Sequence, residues 1–313
     1  MVIYPPINTK SEVKQKMLYS DKLTSWLKEK KIYLKYSTYT NYCNVIHNHI
    51  LPSLGDYPIK ELNNDILQDV ILQKLENGRK DGKGGISFKY AKDIIQILKF
   101  TLPFKVDIQL PYHPPKEVEI FEKEHQITLI NHLQSEINCK NFGILLCIHT
   151  GIRIGELCAL KWSDINIQTK LLKIDKTMIR TYTKEDGSHL YVTPPKSRSS
   201  TRMIPLNTWI MHYAILLQGD ADNYVLTNRD KPIEPNKYRL YYNKLLKELE
   251  LPHRKFHALR HTFATRCIEC GCDYKSLSEL LGHSNVSITM NIYVHPQMEL
   301  KRKCVELLCD YYK

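Results

Sequence analysis

The sequence predicts a two-domain protein: an all-α helical module over residues 1–109, then a mixed α+β domain over residues 118–313 with a small antiparallel sheet. Three observations carry this. At 313 residues the chain can bury a separate core in each of two domains. Leu110-Pro111-Tyr112-His113-Pro114-Pro115-Lys116 crowds three prolines into five residues, which favours an extended connector, residues 110–117, over either core. Before that connector apolar residues recur at spacings of three and four with almost no strand signal, and after it short strand-like runs appear among the helices.

The first helix is expected over Lys22–Lys31, around Leu23, Trp26 and Leu27. Ser37 or Thr38 can cap a second, which runs through Tyr42, Val45, Ile46 and His49 and is stopped by Pro52 and Gly55. A third starts at Asn64 and carries Ile66, Leu67, Val70 and Leu75. After the glycine-rich, charged segment Asn77–Gly85, Ser87 opens a fourth with Tyr90, Ile94, Ile97 and Leu98. Past the connector, Lys123–Leu133 and Phe142–His149 read as helices. Leu171–Ile174, Met178–Thr183, Leu190–Thr193 and Met203–Leu206 read as strands, and helices dominate from there on. An amphipathic tail helix is expected over 296–313, with Leu300, Cys304, Leu307, Leu308 and Tyr311 on one face.

Composition narrows the function classes. Hydrophobic residues make up 42% and charged residues 25%, the balance of a soluble globular protein. No run approaches the roughly 20 apolar residues of a membrane span, and Met1-Val2-Ile3-Tyr4-Pro5-Pro6 lacks the pattern of a signal peptide. A cytoplasmic, nucleoid-associated protein without a membrane partner is expected. The net charge of +12 favours a polyanion. Residues 1–113 hold 17 Lys+Arg against 11 Asp+Glu and the rest of the chain 28 against 22, so the excess is even, as suits two domains that touch one backbone. Nine scattered cysteines, an odd number, read as reduced, mostly buried thiols. Cys267-x-x-Cys270-x-Cys272 with His261 nearby falls short of a zinc site, because Cys267 lies in a helical run and no second Cys/His pair has finger spacing. No metal and no cofactor are expected.

The chemistry concentrates in the second domain. Arg153 follows Gly151 at the start of a short helix, beside free backbone N–H groups that suit an anion, and Glu156 lies three residues on, where it can orient the arginine or a histidine. His257, Arg260 and His261 stand at i, i+3, i+4 on one helix face; crowded cationic groups of this kind are tolerable beside a phosphate. One of the two histidines is expected to be structural, with His261 the choice. Leu281-Gly282-His283 ends a helix at a C-cap glycine, and Ser284 or Asn285 can cap the next, Val286–Val294, which carries Tyr293. Two arginines, two histidines and a lysine can hold a phosphodiester and stabilise added charge on it, and a tyrosine hydroxyl can attack it covalently.

In order and wording, Thr150-Gly151-Ile152-Arg153-Ile154-Gly155-Glu156-Leu157, His257-Ala258-Leu259-Arg260-His261, Leu281-Gly282-His283 and Tyr293 ten residues later resemble the tyrosine recombinase family, in its mobile-element integrase form. Thr193–Pro205 looks like that family's β-hairpin with the catalytic lysine; Lys196 is the choice, because Arg198, where relatives often have a second lysine, cannot deliver a proton, and Lys184 is the fallback. The resemblance implies a SAM-like core-binding domain and a catalytic domain that embrace duplex DNA. Tyr293 would be the nucleophile, forming a 3′-phosphotyrosyl link. Arg153 and Arg260 would hold the non-bridging oxygens, Lys196 would protonate the leaving 5′-oxygen, His257 would assist proton transfer and His283 would hydrogen-bond the phosphate. Lys35, Ser37, Thr38, Tyr39, Lys89, Lys92, Arg198 and Arg202 are expected to contact DNA. The implied partners are double-stranded core sites and further copies in a DNA-bound tetramer, with the tail docked on its own domain or on a neighbour's. An accessory directionality factor stays open as a further partner.

Integrases of mobile elements often carry a further N-terminal domain for arm-type sites. Only about ten to twenty residues precede the first helix, too few for a domain. The expectation is therefore either a protein that works on simple core sites, as Xer-type resolvases do, or a fragment. A Xer-like dimer resolvase and a non-catalytic DNA-binding protein on the same fold are the competing readings.

Overall fold

The computed structural model describes residues 17–114, 118–183, 187–195 and 197–293, with residues 302, 305, 306, 309, 311 and 312 of the tail; the side chains of Arg198, Asn291, Ile292 and Tyr293 lie outside the described set. The chain divides into two compact units, Met1–Pro115 with Thr181–His189, and Lys116–Arg180 with Leu190–Lys313.

The first unit is built from α1 (Tyr19–Tyr33), α2 (Tyr36–Val45), α3 (Leu51–Leu54), α4 (Asn64–Asn77) and α5 (Phe88–Thr101). Leu23, Trp26 and Leu27 bury one stripe of α1 against Val45, Ile46, Leu67, Ile94 and Leu98. Asn63 and Ser87 cap α4 and α5, their side-chain oxygens accepting from the N–H groups of Ile66 (3.0 Å) and Tyr90 (3.2 Å). The second helix departs from expectation at its start and at Pro52, while Gly55 caps the end of the helical run as expected. Neither Ser37 nor Thr38 caps it: α2 begins at Tyr36, after Lys35, with no side-chain cap bond, and Ser37 offers its carbonyl to Thr40 Oγ1 (3.1 Å). Pro52 does not stop it either. A π-turn over Ile46–Ile50 widens the register, the Leu51 N–H reaches Ile46 O, and Pro52 falls in the first turn of α3, where a missing N–H costs nothing.

The second unit holds α6 (Lys123–Ser135), α7 (Cys139–Thr150), α8 (Ile154–Ala159), β1 (Ile165–Asn166), β2 (Leu171–Ile174), β5 (Arg202–Pro205), α9 (Thr208–Leu217), α10 (Pro235–Glu248), α11 (His257–Glu269), α12 (Tyr274–Leu281) and α13 (Val286–Tyr293), while β3 (Thr177–Thr183) and β4 (Gly187–Thr193) are divided between the units, their Thr181–His189 portion falling with the first. β1, β2 and β5 form an antiparallel sheet with Leu172 opposite Ile204, both buried, while β3 and β4 pair separately. α7 is apolar almost all round and runs through the centre, packed on α6, α9 and α11. Its core partners include Trp162, Leu172, Ile204, Tyr238 and Leu259.

Two glycines fix the turns that matter for the site. Gly151 ends α7 at φ +64°, and a Cβ there would lie 2.5 Å from Phe263 Cδ1. Gly282 ends α12 at φ +65°, and its Cβ would lie 3.1 Å from both Arg202 Nη1 and Ser199 O. Only glycine takes this backbone without strain.

The connector's Pro115–Glu117, the tail residues 294–301 and Lys184 lie outside the described residues. Of the apolar tail face only Tyr311 is described, and it is exposed.

Candidate active site

Helix α12 ends with backbone carbonyls that no further turn of helix can use. Three arginines from three other elements take them in succession. Arg202 Nε donates to Leu280 O (2.6 Å), Arg260 Nη2 to Leu281 O (2.6 Å) and Arg153 Nη2 to Gly282 O (3.3 Å). The negative end of the helix dipole suits these cations. The arrangement gathers residues far apart in sequence at the turn that precedes His283.

Arg153 is the cap residue of α8. Its N–H donates to Glu156 Oε2 (2.9 Å) and its Nη1 to Glu156 Oε1 (2.8 Å), yet its side chain is 35% exposed. Arg260 is 2% exposed and anchored by Nη1 to Gly151 O (2.8 Å), so the αL turn that aims Arg153 also positions Arg260. Glu156 is buried, which raises its carboxyl pKa. Hydrogen bonds and charge from Arg202, then from Arg153, outweigh that and leave it below the ordinary range.

The imidazoles are neutral donors and acceptors at pH 7. His257 and His261 meet edge to face at 4.6 Å. Packing around His257, then the charges of His261, Arg260 and Arg153, push it down to about 4 against a smaller opposing pull from Glu156. His257 is also exposed to solvent. His283 is pushed down to about 4 by burial and then by Arg260, Arg153, Arg202 and His257. Its Nδ1 pairs with the buried Thr289 Oγ1 of α13 at 2.8 Å, a partner that nothing in the sequence announced. Asn285 caps α13, accepting from the Ser287 N–H (2.9 Å), and that helix ends on Tyr293.

The structure thus brings Arg153, Glu156, His257, Arg260, His261 and His283 together. The backbone of Tyr293 closes α13, and its side chain and all of Lys196 lie outside the described residues. Among the expected DNA contacts, Lys35, Lys89 and Lys92 are exposed and Ser37 and Thr38 are half-buried. Tyr39 is instead a core residue, 8% exposed and packed with Cys43 and Ile46; its i, i+4, i+7 spacing with them was the unused signal. Arg202 is no surface contact: it is 6% exposed, bonded to both Glu156 oxygens. It shares the inward face of β5 with Ile204, and the alternation of that strand was the available signal. Arg198 begins a short 3₁₀ turn, its side chain outside the description. Among the described residues no group of three His, Cys, Asp or Glu could hold a metal, and no helix is long and apolar enough to cross a membrane.

Residues 120–299 match the phage integrase family, and residues 19–75 match its N-terminal SAM-like domain. The chain is 30% identical to a "Tyrosine recombinase XerC-like" protein of Caldanaerobacter subterraneus subsp. tengcongensis, over 95% of this chain and 84% of that one. It is 28% identical to the transposase from transposon Tn916 of Enterococcus faecalis over 58% of its own length, and spans about half (48%) of that protein. In fold it is similar to the Tn1549 transposon integrase in complex with transposon right end DNA, with a TM-score of 0.76 at 21% identity, covering 94% of this chain and all of that one. A lambda integrase tetramer bound to a Holliday junction aligns with a TM-score of 0.63 at 17% identity, over 90% of this chain and 78% of that one.

Proposed function

Because the chain belongs to the phage integrase family and is a site-specific tyrosine recombinase, we propose that it cuts and rejoins double-stranded DNA through a phosphotyrosyl intermediate at Tyr293. The phenolic oxygen of Tyr293 attacks the scissile phosphorus, the bond to the 5′-oxygen breaks, and a 3′-phosphotyrosyl link and a free 5′-hydroxyl result. Arg153 and Arg260 bind the non-bridging oxygens and offset the charge that grows in the transition state. A phenol titrates near ~10 and needs a proton acceptor. Neutral His257 supplies one, and His283 hydrogen-bonds the phosphate. Lys196 protonates the leaving 5′-oxygen. The phosphotyrosine conserves the energy of the broken bond, so rejoining draws on no nucleotide.

The observation that carries this reading is the convergence of Arg153, Arg202 and Arg260 on the end of α12, with Arg153 still reaching solvent and His283 next in the chain. DNA-bound relatives in fold support duplex DNA as the substrate, and the lambda tetramer supports assembly of four copies on it. The tail is the candidate contact between copies, the cytoplasm the expected place of action, and a directionality factor a candidate partner. Likeness to a XerC-like recombinase keeps a dimer-resolvase role as the second reading, on the same chemistry.

The test is Tyr293→Phe, which loses only the phenolic oxygen. The variant is expected to bind DNA from the flanks of its own coding sequence normally and to leave no SDS-resistant adduct on a nicked suicide substrate. An adduct that persists in Tyr293→Phe would move the nucleophile to another tyrosine.

A further inference from the structure

Glu156 is 3% exposed and accepts four hydrogen bonds, two from Arg153 and two from Arg202. The two arginines are placed differently. Arg202 is 6% exposed; besides the carboxylate it donates from Nε to Leu280 O (2.6 Å) and from Nη1 to Ser200 O (3.0 Å). Arg153 makes one side-chain bond to the carboxylate and one long bond to Gly282 O, and is 35% exposed. Among the described residues Glu156 is the only carboxylate within ion-pair distance of either guanidinium.

A buried carboxylate left with one arginine would hold that arginine as its counter-ion, because an unpaired charge in the interior is strongly unfavourable. Arg153 would then be neutralised from behind and drawn inward. Arg202 removes this demand, since it meets both carboxylate oxygens with a bidentate fork from the inward face of β5. Its aliphatic stem also supports the turn before His283, with Cδ 3.2 Å and Nη1 3.1 Å from the point where a Gly282 side chain would begin.

We propose that Arg202 is a positioning residue that serves as the internal counter-ion of Glu156, so that the charge of Arg153 stays available to a phosphodiester. The proposal rests on reading Arg153 as a ligand of the scissile phosphate. Arg202 touches no substrate; it acts through Glu156 and through the α12 turn.

The test compares two scissile groups in the same nicked duplex, built from DNA flanking the protein's own coding sequence. One is an ordinary phosphodiester, the other a methylphosphonate, which lacks the negative charge and needs less cationic help. In the full chain Arg202→Met is expected to slow strand cleavage of the phosphodiester about ten- to a hundredfold. On the methylphosphonate the variant should stay within about twofold of the unaltered protein, and DNA affinity should be unchanged. Pairing Arg202→Met with Glu156→Gln removes one charge of each sign and should recover most of the lost phosphodiester rate. Arg202→Lys keeps the charge and should hold the ratio of the two rates near the original, which leaves the test open if the methionine variant does not fold.

Equal losses on both substrates, no rescue in the double variant, or a ratio shifted tenfold by Arg202→Lys would each overturn the proposal. An unaltered chain that cleaves neither substrate would instead sink the reading of the site itself, and the proposal with it.

Discussion

His257, His261 and His283 sit among guanidinium groups and are neutral at pH 7, so among the described residues the positive charge of the site comes from arginine. This has a consequence for stability. In the unfolded chain a histidine takes its proton near ~6.5, whereas folded His257 and His283 do so only at about 4. Between those values the unfolded state binds more protons, so stability falls as pH is lowered from 7 toward 4 and is flat above. The melting temperature of the DNA-free protein should therefore drop between pH 7 and pH 5, and more gently in a His257→Gln, His283→Gln double variant. Identical slopes would remove these residues from the account. Lys196 is tested by its role as proton donor. Lys196→Ala should cleave ordinary DNA poorly and regain cleavage on a 5′-bridging phosphorothiolate, whose sulfur leaves without a proton. Equal defects on both would leave the lysine a phosphate contact at most.

At the scale of elements, the site is a meeting of ends: the end of α7, the start of α8, the inward face of β5, the first turns of α11 and the last carbonyls of α12. Short elements with left-handed glycine turns at their ends set the angles. Gly282 and Gly271 both have positive φ, yet a Cβ at Gly271 meets nothing within 4 Å while one at Gly282 crowds Arg202 and Ser199 O. Both Gly282→Ala and Gly271→Ala should lose stability, by about 1–2 kcal/mol, from backbone strain. Only Gly282→Ala should also slow DNA cleavage. If the two variants cleave alike, the contact between the α12 turn and Arg202 has no bearing on chemistry. The sequence showed ends clearly where punctuation is local, at Gly151, Ser87 and Gly282, and left the start of α13 between Ser284 and Asn285, of which Asn285 caps it. It misled at Pro52, because a proline reads as a stop until a π-turn has shifted the register ahead of it.

Each unit of the whole molecule has its own buried core, and the excess positive charge is divided evenly along the chain. Residues 1–113 and 114–313 made separately should each bind duplex DNA weakly and with steep salt dependence, because each neutralises phosphates and releases counterions. Joined, they should bind far more tightly, as the connector raises the local concentration of the second unit once the first is bound. Gel shifts across a salt series decide this. A fragment 114–313 that equals the full chain in affinity and footprint would assign all recognition to the catalytic unit.

The sequence alone announced two separate cores and the helices with capped ends, because periodicity and proline clusters are local and survive in one dimension; the six candidate catalytic residues came from resemblance to a family's motifs. It determined less about which polar residues face inward. Tyr39 and Arg202 carry groups that suit DNA, and chemistry by type placed them at the surface; the fold buries one in a helical core and the other behind Glu156. Likewise His283 acquires Thr289 as partner, and three arginines that are separate in sequence share the last carbonyls of one helix. Those assignments depend on which elements lie side by side, and a guanidinium or imidazole has no preferred partner until packing brings a carboxylate, a hydroxyl or a helix end within about 3 Å of it.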